Sequence, residues 1–321
     1  MAKPQPVVIE PWFSPRIWGT RDLRPFYPPL PDGADPVGEA WLTAPYCRVA
    51  GAGESLEAWW RRESAAWNEP ADSRAEFPFL IKLLFPKDFL SIQVHPDDSY
   101  AALHGLGRGK TEMWHMLAVE PGAKLALNLV PGAEIQHLAA ACRAGGGAAA
   151  QLLAWHEPAP GDTYFVPAGT VHALGPGLVI LEVQQPSDNT FRLDDYGRVD
   201  ASGRPRELHL EAGLEVAHAR TAAGLLPRST SGPLIQCPYF QVSRLEAKTE
   251  DAIPLPAAFC TIVPVAGQWR LKNGPRLPLA HAAIPPAQGG QELVGQGVAI
   301  QVGPGVPDAA RSRTGSSPVA P

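Results

Sequence analysis

The segment GDTYFVPAGTVHAL, residues 161–174, constrains the fold more than any other stretch of the chain. Two short apolar runs, TYFV and TVHAL, flank Pro-Ala-Gly. Proline fixes φ and cannot donate to a strand ladder, and Gly169 tolerates the backbone angles of a tight reversal. The segment therefore reads as a strand rising to Pro167, a turn, and a return strand carrying His172. The same grammar recurs at 78–85, 90–95, 112–119, 124–129 and 178–184, each run bounded by Gly, Pro or Asp. With 36 prolines and 31 glycines in 321 residues, the expected architecture is an antiparallel sandwich or barrel rather than βαβ units.

Helical signals are few. In 131–146, Ile135, Leu138, Ala139 and Cys142 fall at i, i+3, i+4 and i+7, and Gly145 stands where the helix should end. Short helices are also expected at 148–155 and 54–62, and a helix or connector in LHLEAGLEVAH. The texture changes near Pro205, and new strand-like runs follow from Tyr239. The expected division is a first β-domain, 1–205, with a small helical insert near 133–157, then a second β-domain, 206–305, and a disordered tail, 306–321. A faint echo links VPAGTVHAL (166–174) with IPPAQGGQEL (284–293), the second copy lacking the histidine.

Composition excludes several classes. Apolar residues make up 45% and charged residues 18%, as in a folded globular chain. A net charge of −5 gives no reason to expect nucleic acid or an anionic membrane as partner. Cys47, Cys142, Cys237 and Cys260 show no CxxC spacing and read as buried thiols of a reducing compartment. The first residues lack a signal peptide's basic and apolar segments, and no apolar run approaches the roughly 20 residues that span a bilayer, so a cytoplasmic protein is expected.

Strand periodicity assembles a candidate site. In LSIQVHPDD, Ser91, Gln93 and His95 alternate and share one face. In KTEMWHML, Glu112, Trp114 and Met116 share a face, His115 points to the other, and Lys110 joins Glu112 if the strand begins that early. With His172, the chain offers Gln93, His95, Glu112 and His172: two imidazoles, a carboxylate and an amide, a set suited to Zn²⁺ or another divalent first-row metal. GLGRGKT (105–111) approaches a phosphate-binding loop, but His104 stands where that motif needs glycine and no helix pattern follows.

The pattern G-x5-P-x-G-x2-H in 161–172 is the second half of the cupin signature. Together with PRIWGT (15–20), GEAW (38–41), FPFLIKLLFPKDFLSIQVHPDD (77–98), GKTEMWH (109–115) and LEVQQPSDNTFRLDDYGR (181–198), it resembles the type I mannose-6-phosphate isomerases in their short bacterial form. The matching segments span roughly two-thirds of the chain in the expected order; the last third resembles the family's second β-domain more loosely. The resemblance implies an all-β fold of two cupin-type jelly-roll domains with a few short helices, only the first of them holding metal. It implies one Zn²⁺ per chain on Gln93, His95, Glu112 and His172, and interconversion of mannose 6-phosphate and fructose 6-phosphate through an enediolate. The family's arginine falls on Arg192, its lysine on Lys110, its serine on Ser91 and an acidic cleft residue on Glu182.

Glu182 and Lys110 are the candidates for proton transfer, and Ser91, Lys110, Arg192 and Lys87 are available for the phosphate. Each has a plainer alternative. Arg192 can pair with Asp188 or Asp195, Glu182 can lie on the solvent face of an edge strand, and Lys82 and Lys87 read as structural and solvated. His104, His137, His156, His209, His218 and His281 carry no motif, and Asp97 and Asp98 read as helix caps. The competing functions are an iron-dependent oxygenase of the same fold and a sugar-phosphate sensor without turnover. The expected partner is a small-molecule sugar phosphate, with neither nucleic acid nor membrane, and the chain is read as a monomer or weak homo-oligomer.

Overall fold

The computed structural model describes residues 6–67, 76–199, 202–272, 274–286 and 290–306. The tail from 307 lies outside them. Three sheets stack as layers. A central seven-stranded sheet contains, in spatial order, Gly224–Leu225, Thr163–Val166, Glu112–Val119, Leu178–Gln184, Leu80–Leu84, Val37–Trp41 and Trp12–Thr20. A five-stranded sheet contains Phe191–Asp194, Ile92–Val94, His172–Leu174, Leu125–Leu129 and Leu153–His156. An eight-stranded sheet is built mainly on Phe240–Pro254, Thr261–Leu271 and Glu292–Pro304. All named strand pairs of the first two sheets are antiparallel.

The alternation of each strand decides which core it serves. In Leu80–Leu84, Ile81 and Leu83 point away from the five-stranded sheet. They join Met113, Leu181 and Val183, and these pack against Phe240, Val242, Ile300 and Val302 of the eight-stranded sheet. The opposite face of the central sheet presents Leu84, Trp114, Met116 and Ile180 to Leu125, Leu127 and Leu174 of the five-stranded sheet. The outer face of the five-stranded sheet carries Ile92, Val94 and Ala173, covered by Leu138 and Cys142 of helix Ile135–Ala144 and by Val216 of helix Leu210–Val216. The first two sheets thus form one sandwich.

The expected strands at 112–119 and 178–184 match their observed bounds, and those at 78–85, 90–95, 124–129 and 162–167 contain the observed ones. Helix Leu56–Glu63 is capped by Ser55, whose hydroxyl accepts from the Ala58 N–H at 3.2 Å. Asp97 accepts from Tyr100 N–H and caps Asp98–Leu103. The expected helix at 148–155 is a 3₁₀ turn over Ala148–Leu152 followed by a strand, Leu153–His156, which pairs with Leu125–Leu129. Strand pairing there overrides the helix propensity of the alanines. The sheets also do not separate at residue 205, because Val7–Glu10 and Arg48–Val49 belong to the eight-stranded sheet. All four cysteines are buried. Among the described residues no helix is long and apolar enough to cross a membrane.

An aromatic cluster fixes the central sheet to the eight-stranded one. Phe79, fully buried, lies 5.3 Å from Phe77 and 6.0 Å from Phe259, ring centre to ring centre. Phe79→Ala is expected to cost about 3–5 kcal/mol of stability, measured as a drop in the urea midpoint. A loss below about 1 kcal/mol would show that the layers do not depend on this cluster.

Candidate metal centre and active-site cavity

Three antiparallel strands place the central residues in one row. Within the five-stranded sheet His172 stands opposite Gln93, and Gln93 stands opposite Arg192 on its other side. Side chains directly opposite one another share a face. His95 follows directly on Ile92–Val94 and lies on the same face as Gln93 by the two-residue period. Glu112 reaches the same point from the central sheet, at the start of Glu112–Val119.

The cluster is built of acceptors. Nε2 of His95 lies 3.5 Å from one Glu112 oxygen and Nε2 of His172 lies 3.6 Å from the other. The three ligand atoms of His95, Glu112 and His172 lie within 4.8 Å of one another, all buried. Nδ1 of His95 bonds the Asn189 carbonyl at 2.9 Å, and Nδ1 of His172 bonds the Thr170 carbonyl at 2.9 Å. A carbonyl only accepts, so each Nδ1 carries the proton and each Nε2 offers a lone pair. Burial, then the Lys110 charge, pushes the His95 pKa down to about 3, and burial depresses His172 likewise. Both rings are therefore neutral near pH 7. Burial opposes ionisation of Glu112, but a protonated His95 in the acid range where the carboxyl titrates, and Lys110, outweigh it and hold the carboxyl below its ordinary range.

Nε2 of His95 and both oxygens of Glu112 are buried without a hydrogen-bond partner. Such orphaned acceptors cost on the order of 1–3 kcal/mol each unless something satisfies them. A group of lone pairs facing one another is what a cation resolves, and two imidazoles with a carboxylate fit a divalent one. The Gln93 carboxamide lies beside His172, Nε2 to Nε2 3.1 Å, so a half-turn of that amide presents its oxygen to the same point. His115 stays out of the cluster; its ring bonds the Thr163 hydroxyl at 2.9 Å.

A cavity of about 430 Å³ opens beside this centre, lined among others by Ser91, Gln93, Lys110, Trp114, Glu182 and Arg192. Lys110 Nζ lies 3.6 Å from Glu112 Oε2, although Lys110 precedes the strand. Glu182 is on an interior strand, not an edge, and is buried. The Trp114 indole N–H donates to its Oε1 at 3.1 Å, and Lys82 Nζ lies 3.8 Å from its Oε2. Burial, then the Glu112 charge, raises the Glu182 carboxyl to about 7, against the opposing cations Lys82 and Lys110. Ser91 is buried beside Gln93, 3.4 Å from its amide oxygen. Arg192 makes no ion pair with Asp188 or Asp195 among the described contacts; its Nη1 donates to the Glu207 carbonyl at 2.6 Å. Lys87 is the exception: it is exposed and borders a different cleft with Asp22, Arg24 and Glu120.

Sequence reasoning underrated one group and missed others. Lys82 is fully buried 4.1 Å above the Trp41 ring, and Glu39, Asp188 and Glu182 hold it protonated against the burial penalty. Cross-strand register joins Trp114, Glu182, Lys82 and Trp41 in one row across four strands. The lysine's place in that row follows from the strand period; its neighbours come from pairings that local sequence does not show. Glu39, Arg16 and Arg206, also missed, line the same cavity.

A β-sandwich with this ring of donors at its centre and a polar cavity beside it defines a metal-site protein of the cupin type. Residues 14–112 match the family described as phosphomannose isomerase type I, catalytic domain. The mannose-6-phosphate isomerase ManA of Bacillus subtilis is 32% identical over 291 residues, covering 84% of this chain and 88% of that protein. The mannose-6-phosphate isomerase of Streptococcus mutans is 30% identical over 286 residues, with coverages of 84% and 88%. The crystal structure of the Bacillus subtilis enzyme superposes with a TM-score of 0.79 at 29% identity, covering 94% of this chain and all of that one. A mannose 6-phosphate isomerase solved with zinc and yttrium shares the fold, with a TM-score of 0.71 at 17% identity and coverages of 94% and 100%. The chain belongs to the type I phosphomannose isomerases.

The orphaned acceptors predict metal-dependent stability. Zinc added to chelator-treated protein at about a thousandfold excess over Kd is expected to stabilise it by about 4 kcal/mol, seen as a rise in melting temperature. His95→Ala should abolish the rise. An equal rise in His95→Ala would place the metal elsewhere.

Proposed function

We propose that this chain interconverts mannose 6-phosphate and fructose 6-phosphate, with Zn²⁺ held by Gln93, His95, Glu112 and His172. The observation that carries the reading is a cavity lined both by Gln93, which stands beside the His95–Glu112–His172 cluster, and by a carboxyl held near neutrality, Glu182. A bound divalent cation supplies Lewis-acid polarisation of the sugar carbonyl and offsets anionic charge that develops on it.

The reaction moves two protons: one from C2 to C1, one from the oxygen on C2 to the oxygen on C1. Glu182, ionised, takes the carbon-bound proton and returns it to the neighbouring carbon. Its position suits this, because a proton-transfer group works best with a pKa near the operating pH. Trp114 holds one carboxylate oxygen through its indole N–H, which fixes the direction from which the proton is taken. Lys110 and Ser91 line the same cavity as Glu182 and Gln93, within which they would contact sugar oxygens, the lysine's charge favouring the enediolate. Arg192 holds the substrate toward its phosphate. This division favours Glu182 over Lys110 as the proton carrier. Lys87 has no part in it. Cationic side chains in the cavity give an oxygenase nothing and give a phosphorylated sugar its grip. The free, buried thiols of Cys47, Cys142 and Cys260 support a reducing compartment, the cytoplasm.

A coupled assay on zinc-loaded protein should show fructose 6-phosphate formed from mannose 6-phosphate; no product would overturn the reading. Glu182→Gln is expected to lower kcat by about 10²-fold or more while metal content is unchanged. Activity should fall on the acid side as Glu182 takes up a proton, near pH 7. Lys82 lowers that carboxyl's pKa, so Lys82→Met should move the acid limb to higher pH, measured as the pH profile of kcat. An unmoved limb would assign it to another group.

A further inference from the structure

The cavity beside the metal ligands gathers three arginines, of which Arg206 was marked by no motif. Arg16, Arg192 and Arg206 all line it. Arg206 comes from the segment after strand Phe191–Asp194, and its guanidinium is already fixed. Its Nε donates to Asp195 Oδ2 at 2.7 Å and its Nη2 to the other oxygen of the same carboxylate. Asp195 is itself buried and also holds Arg198. One edge of the Arg206 fork is thereby occupied, which leaves its Nη1 for a ligand.

Charge around these arginines is only partly compensated: Arg16 pairs with Glu39 at 2.6 Å. Arg198 and Arg206 share Asp195, and Arg192 has no carboxylate within ion-pair distance among the described residues. Arg192 Nε is buried without a hydrogen-bond partner. Burial, then the neighbouring Arg206 charge, works against Arg192 carrying its own. A bound anion relieves both the crowding and the orphaned donor.

Register supplies the distance. From His172 through Gln93 to Arg192 the row crosses two strand spacings, about 10 Å at about 4.8 Å each. That suits an open hexose chain whose carbonyl end lies at the metal ligands and whose phosphate lies at the arginines.

We infer that Arg206, positioned by Asp195, holds the substrate phosphate together with Arg192 and is the residue that selects phosphorylated over neutral sugars. This rests on the isomerase reading for the identity of the sugar, but not for the anion site itself. Two experiments on zinc-loaded protein test it. In the first, inorganic phosphate is titrated into wild type, Arg206→Gln and Arg206→Lys by calorimetry. Affinity is expected to fall about tenfold or more in Arg206→Gln and to be partly restored in Arg206→Lys, which keeps the charge but loses the fork. Equal affinity in wild type and Arg206→Gln overturns the inference, since phosphate would then be bound elsewhere, including at the metal. In the second, kcat/KM is measured for mannose 6-phosphate and for mannose. Arg206→Gln should reduce the first by about 10²-fold, mainly through KM, and leave the second unchanged. An equal loss for both sugars would make Arg206 a structural partner of Asp195 and also overturn it. Should wild type bind phosphate through Arg206 yet convert no mannose 6-phosphate, the isomerase reading fails and the anion site stands.

Discussion

The attraction between a buried Glu112 carboxylate and the cation it requires is the interaction on which the centre of this protein depends. An ionised carboxylate taken out of water carries a penalty of several kcal/mol unless paired. Its neighbours His95 and His172 are neutral, and Lys110 at 3.6 Å is beyond hydrogen-bond distance. Around this point the fold is arranged by register. A slip of one residue in Ile92–Val94 would turn Gln93 and His95 to the helix-covered face and Ile92 and Val94 into the cluster. Pairing with His172–Leu174 on one side and Phe191–Asp194 on the other opposes such a slip. The hydrophobic face beneath the helices therefore aims the ligands as much as it stabilises the sheet.

The central sheet divides its labour between its two faces. One carries Trp114, Glu182 and Lys82, a row of polar and charged groups that a core would normally exclude. The other carries Ile81, Leu83, Met113, Leu181 and Val183, all buried against the eight-stranded sheet. Five such side chains contribute on the order of 10 kcal/mol, enough to offset a few buried polar groups on the opposite face. Among the described residues, none of the C-terminal third lines the cavity, and that third packs directly behind it. Strands Val7–Glu10 and Arg48–Val49 tie the first part of the chain into that sheet.

What could be read from sequence follows from the range of the physics involved. The two-residue period placed Ser91, Gln93 and His95 on one face and Glu112 apart from His115, because strand geometry is local. The role of Glu182 was not local. Its burial depends on the strand lying between Leu80–Leu84 and Glu112–Val119 rather than at an edge, and its neighbours Trp114 and Lys82 are distant in the chain. Arg206 sits in loop sequence without periodicity, so no pattern could assign it to the cavity or pair it with Asp195. Lys87 shows the opposite error: it lies within a matching segment, but its turn directs it outward. The alanines at 148–150 favour a helix, yet the edge of the five-stranded sheet claims the residues that follow.

The cavity is electrically asymmetric, and its order matches the reaction. The acceptors of the metal end have one cation beside them, Lys110, arginines line the same cavity, and Glu182 sits among opposing charges: Glu112 and Glu39 raise its pKa, while Lys82 and Lys110 lower it. Because the lysines oppose the two carboxylates, burial remains the largest influence, and a buried carboxyl near neutrality can both take and return a proton. Arginines placed directly beside it would stabilise the carboxylate and make it a poorer base. Asp195, shared by Arg198 and Arg206, trims the cationic end while keeping its guanidiniums in place. On the proposed assignment, separating the phosphate grip from the proton carrier would let one small cavity hold a dianion and still keep an acid that titrates near pH 7.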